Sequence, residues 1–152
     1  MFKTVETQGA GWVDYMWPKP GESVSTLKST YVRSAILDGK RVLVGCGVYL
    51  ADAPVVGLAV KKMTANELMR LVHEAATVFA LRGEQAYPEF RKPGSKWFHD
   101  QTYFFVWDLE GNRVFHAANP AGEGQNMRDV KDVLGRPWGK MFLDAAASPT
   151  GE

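Results

Sequence analysis

Hydrophobic and polar positions change period several times along the chain, and each change marks an element. Gly11 to Trp17 alternates: Val13, Tyr15 and Trp17 fall on one side, Trp12, Asp14 and Met16 on the other, the pattern of a half-buried strand. Pro18, Pro20 and Gly21 stop it. After a Ser- and Thr-containing connection, Leu27 to Leu37 is rich in β-branched and aromatic residues and ends at Asp38-Gly39, a strong hairpin turn signal. Arg41 to Leu50 returns as the next strand. Its run from Val42 to Val48 is almost continuously apolar, which predicts a central strand covered on both faces. Gly45 and Gly47 share one face of it. Two missing side chains there suit either the close approach of a ring or ligand to the backbone, or a plain bend.

Residues 51–63 form a Pro- and Gly-punctuated connection. Thr64 and Glu67 then make a capping box, and Leu68, Leu71, Val72, Ala75, Val78 and Phe79 recur at helical spacing until Gly83, predicting a helix over 65–82 that lies along the sheet. A loop and short-helix region, Glu84 to Gln101, leads to a strand Tyr103 to Asp108. A turn at Glu110-Gly111 or Gly111-Asn112 follows, then a strand Arg113 to Ala117 ended by Asn119-Pro120. Pro137 opens a short helix carrying Trp138, Met141 and Phe142. The order β-β-β-α-β-β-α, with five strands and one long helix, predicts an α+β fold: an antiparallel sheet with its helices segregated from the strands.

Composition narrows the function classes. The 152 residues suffice for one domain, with 18 Lys and Arg against 17 Asp and Glu. A formal net charge of +1 gives no field that would gather nucleic acid or an anionic membrane. No window approaches a membrane span, and Met1 to Gly11 lacks the apolar stretch of a signal peptide. The single cysteine, Cys46, excludes an internal disulfide and a multi-thiolate metal site, and it falls in a strand read as buried, where a thiol is inert. His73, His99 and His116 show no metal-ligand spacing. Asp129 and Asp132 read as capping residues, and no cofactor is expected. Neither a GxSxG elbow, a Walker loop, a dinucleotide fingerprint nor an HExxH helix occurs, so no catalytic residue is assigned. The aromatic fraction, 12%, is high, and such rings build a core or line a concave site.

Three stretches, GWVDYMWPKPGES, LKSTYVRS and VGCGVYL, resemble the C-terminal half of a single-Cache sensor domain. LVHEAATVFALRGEQAYPEF, the WFHDQTYFFVWDLEGNRVFHAANP block, and the GQN, KDVLGR and GKMF elements resemble its N-terminal half. The halves stand in swapped order. That order fits either one circularly permuted domain or the seam of a tandem pair, and one domain over residues 1–152 is expected (9–50 the C-terminal half, 51–63 a linker, 64–152 the N-terminal half). Met1-Phe2 echoes Met141-Phe142, so residues 1–8 and 138–145 are expected to compete for one helical slot. The resemblance implies a PAS-like sheet, a periplasmic or extracellular setting and non-catalytic binding of a small organic acid. It also implies a homodimer or a tandem Cache partner. Tyr15, Trp17, Lys28, Tyr31, Trp97, Tyr103, Phe105, His116 and Asn119 are the candidate ligand-binding residues, with Lys28 or His116 answering the ligand's charge. Each has a plainer reading as core, turn former or solvated lysine. Lys28 and Tyr31 are an odd step apart and cannot share a face of a regular strand. His116 is expected to share a face with Val114. Binding is expected to tighten covering loops and bias the long helix, while a ligand-free self-association module is the alternative.

Overall fold

The computed structural model describes residues 9–18, 23–49, 65–99 and 102–147. The connection 51–63, Thr64 of the capping box and residues 1–8 of the expected helix competition lie outside the described residues. Five strands form one antiparallel sheet in the order β1-β2-β3-β4-β5: β1 (Ala10–Pro18), β2 (Ser25–Leu37), β3 (Lys40–Tyr49), β4 (Phe104–Asp108) and β5 (Arg113–His116). Strand β3 is the middle one, which is why its Val42–Cys46 run is buried throughout.

Local chemistry sets the turns. Asp38 and Gly39 both adopt positive φ, 51° and 81°, the two left-handed residues that a tight hairpin between right-twisted strands requires. Between β4 and β5, the Asp108 carboxylate accepts the backbone N–H groups of Glu110 and Asn112, both at 2.9 Å, and closes the turn through Gly111.

The helices cover opposite faces. Helix α1 (Ala65–Arg82) buries Leu68, Val72, Ala75 and Phe79 against the face carrying Tyr31, Val44, Cys46, Phe104 and Phe115. The short α2 (Tyr87–Phe90) and its flanking turns extend this layer: Phe90 stacks on Phe79 at 4.5 Å and on Trp97 at 4.2 Å. Helix α3 (Trp138–Ala147) follows Pro137 and crosses β1 and β2 on the other face. Its Trp138 stacks on Tyr15 at 4.6 Å, and its Phe142 lies parallel to Phe105 at 5.4 Å. Asp132 fastens the preceding loop to the sheet edge by accepting the Met16 N–H at 2.8 Å.

The register between β4 and β5 carries one irregularity. Phe105 pairs with His116 and Val106 with Phe115, but Trp107 pairs with Arg113, leaving Val114 as the extra residue of a β-bulge. The bulge cancels the odd step, so Arg113 and His116 both line the same face.

Candidate functional site

The face under α3 holds a cavity of about 10 Å³, room for roughly one water. Six of the residues selected from sequence line it: Tyr15, Trp17, Lys28, Tyr103, Phe105 and His116. Trp107, Arg113, Trp138 and Phe142 complete the wall. Register explains the convergence. Tyr15 pairs with Lys28 and Lys28 with Tyr49, and Gly45 pairs with Phe105, which pairs with His116. In an antiparallel sheet, directly opposed residues project to the same side.

The two glycines of β3 make the space. A Cβ on Gly45 would run into the Phe105 ring. A Cβ on Gly47 would meet the Thr30 hydroxyl, the Ser29 carbonyl at 2.8 Å and Lys28 Cε at 3.0 Å. Of the two sequence readings, close approach is the one observed: a ring crosses one glycine and the lysine stem the other.

Lys28 is 2% exposed. Its Nζ donates to the Tyr103 hydroxyl at 2.7 Å and stands 4.3 Å from the Tyr103 ring centre and 5.0 Å from that of Tyr49. Tyrosine faces are negative and suit an ammonium. Tyr15 bonds the Thr30 hydroxyl at 3.1 Å, and Tyr49 donates to the Pro18 carbonyl at 2.9 Å. Burial pushes the Tyr15 and Tyr103 phenols up to about 12, with Lys28 pulling against it at Tyr15, so both stay protonated donors.

Arg113 and His116, each 7% exposed, face the cavity from β5. Burial lowers the Arg113 pKa. His116 falls to about 3, chiefly by burial and then by the nearby Arg113 and Lys28 charges, so it is neutral at ordinary pH. Arg113 reaches Gln125 Oε1 through Nη1 at 3.3 Å. Among the described residues, neither Lys28 nor Arg113 has a carboxylate within ion-pair distance. Four buried side-chain polar atoms among them lack a hydrogen-bond partner, and three belong to this cavity: Arg113 Nε, His116 Nδ1 and Trp138 Nε1. Orphaned buried polar atoms are rare, and three of the four belong to residues around this one space.

The other three candidates stand elsewhere. Tyr31 points to the α1 face, opposite Cys46 and 5.2 Å from Trp12, as the odd step from Lys28 requires. Trp97 packs between Phe90 and Phe104 on that same face and donates to Glu89 at 3.1 Å. Asn119 is exposed, although its loop reaches the site: a Cβ on Gly122 would stand 2.6 Å from both Asn119 Nδ2 and Arg113 Nη1. Sequence reasoning missed Arg113 because simple alternation from His116 turns it away, and only the bulge restores it. It missed Trp138 and Phe142 as wall residues because they come from the far end of the chain, though their i, i+4 spacing in an apolar helix was visible.

Burial raises the Cys46 thiol to about 12, leaving it unreactive. No group of His, Cys, Asp and Glu able to hold a metal occurs among the described residues, and no helix there is long and apolar enough to cross a membrane.

A five-stranded antiparallel sheet with a long helix on one face and a polar-lined cavity on the other is the architecture of a PAS-like sensor domain. The family model of Single Cache domain 2 matches residues 62–152, and the chain belongs to that family. The match takes in α1 through α3 and leaves β1–β3 outside it. Members are generally extracytoplasmic sensor modules that bind small molecules. Comparison with curated proteins and with solved structures finds no match.

Proposed function

We propose that the α3-covered cavity binds a small organic anion, specifically a carboxylate, without catalysis, as the input site of a periplasmic sensor. One observation carries the reading: Lys28 and Arg113 are buried at the same cavity with no carboxylate partner among the described residues. A buried charge without a counter-charge costs several kcal/mol, and a bound anion removes that cost. The orphaned N–H of Arg113 and of Trp138 and the neutral His116 ring then supply directional hydrogen bonds.

With about 10 Å³ open, a carboxylate enters only by displacing the cover. That cover is α3, through Trp138 and Phe142, while α1 sits across the sheet from the ligand. Ligand binding therefore acts first on α3 and the loop leading to it, in place of the long helix expected from sequence.

The same reading takes residues 1–152 as one permuted Cache-like domain. It is supported by the pairing of β3 with β4, which joins the two halves in one sheet. The end of α3 also lies beside the start of β1, with a Cβ on Gly11 only 3.1 Å from Ala145 Cβ. Thermal shift against a panel of short carboxylates tests the function: at least one raises Tm at millimolar concentration, and a folded sample that no member stabilises overturns it.

A further inference from the structure

We propose that the ligand is a dicarboxylate, one carboxylate meeting Arg113 and the other meeting Lys28; this rests on the carboxylate reading above and goes beyond it. Two buried cations at one cavity set the charge a ligand must carry. The two cations enter the cavity from different strands, β2 and β5, with β3 and β4 between them. Each is more than nine-tenths buried, and no carboxylate among the described residues pairs with either. A monocarboxylate would answer one and leave the other buried without a counter-charge among the described residues. The remaining ionisable groups do not alter the sum: Tyr15 and Tyr103 stay protonated, and His116 stays neutral and contributes no third positive charge.

Donor placement agrees. Lys28 Nζ donates to the Tyr103 hydroxyl and also bonds Tyr49, so it meets phenols and no carboxylate among the described residues. The Arg113 Nε–H is unspent, and Trp138 Nε1–H and His116 Nδ1 are free beside the same space. Tyr103 stands between the two ends, bonded to Lys28 on one side and with its ring 4.9 Å from that of His116 on the other. A ligand with an anionic group at each end and a short apolar middle would meet both cations once the α3 cover is displaced. The middle would cross the wall made by Phe105 and Phe142.

The test is calorimetric titration of the full chain with acetate, propionate and butyrate, with malonate, succinate and glutarate, and with sulfate as a dianion that has a single centre. At least one dicarboxylate is expected to bind about tenfold or more tightly than the monocarboxylate of equal carbon number. Lys28→Met and Arg113→Met should each reduce that preference to near unity. Monocarboxylates binding as tightly as dicarboxylates, or sulfate binding more tightly than either, overturn the dicarboxylate assignment and leave the carboxylate site standing in the first case. If no carboxylate binds, both readings fall. Circular dichroism of the two variants shows whether they fold, and the wild-type series decides the question even where they do not.

Discussion

Lys28 on β2 donates to the hydroxyl of Tyr103, the residue that leads into β4, across 2.7 Å and 75 positions of sequence. Both residues line the cavity under α3. Replacing a buried, imperfectly compensated cation by an apolar side chain of similar length is often neutral or stabilising by about 1–4 kcal/mol. Lys28→Met should therefore leave Tm unchanged or raise it, and weaken carboxylate binding by about tenfold or more. Paired melting and titration experiments separate the two effects. A large loss of stability with binding retained would make Lys28 structural.

His116 gives stability a defined acid limb. Its folded pKa, about 3, lies below the unfolded value near 6.5, so the unfolded chain binds more protons between those two pH values. The sign follows. The full contribution is present above about pH 6.5 and is lost as pH falls toward 3, with a limiting slope of about 1.4 kcal/mol per pH unit. His116→Phe should flatten that limb in urea melts taken from pH 7 to pH 4. An unchanged slope would show that the imidazole titrates normally.

The periodicity of the chain contained most of this fold. Helix α1 spans the 65–82 predicted from its apolar spacing, and the Asp38-Gly39 signal made the hairpin it makes in many sequences. These features are local, decided by spacing and backbone preference within a dozen residues. The site was less legible for a physical reason: facing depends on register, and one unpaired residue inverts it. Val114 did this to β5 and hid Arg113, whereas the regular β2 register made the Lys28–Tyr31 incompatibility readable in advance. Trp97 shows the other limit. An aromatic between two strands' worth of apolar neighbours looks the same whether it walls a ligand or stacks on Phe90.

Asp132 is a small residue with a large share of the edge contacts. Its carboxylate accepts the backbone N–H of Met16 at 2.8 Å, of Leu134 at 3.0 Å and of Arg136 at 2.9 Å, and it lies 3.6 Å from Arg136 Nε. Burial alone would raise its pKa, but these donors prevail and hold it below the usual carboxylate range. Asp132→Ala leaves the Met16 donor on the edge strand without its partner and frees the loop that precedes α3. The expected cost is about 2 kcal/mol, with increased amide exchange at Met16 and through α3. Because the folded pKa is depressed, the contribution of Asp132 is present at neutral pH and disappears as pH falls through that pKa. An alanine variant as stable as wild type at pH 7 would remove Asp132 from this role.

The glycines of β3 offer a graded test of how the cavity is built. At Gly45 an added methyl meets the edge of the Phe105 ring, a side chain that can turn by moving Phe142 and α3 outward. At Gly47 the same methyl meets the Ser29 backbone carbonyl at 2.8 Å as well as the Thr30 hydroxyl and the Lys28 stem, and a paired strand cannot withdraw its backbone. Overpacking costs about 1–3 kcal/mol where neighbours can shift and more where they cannot. Gly47→Ala is therefore expected to destabilise more than Gly45→Ala. The effects on binding should run differently: Gly45→Ala alters the apolar wall and lowers affinity modestly, whereas Gly47→Ala displaces the ammonium itself and lowers it strongly. Urea melts and ligand titrations of both variants check the order, and equal destabilisation would show that the β2–β3 backbone spacing at Gly47 yields as readily as a ring.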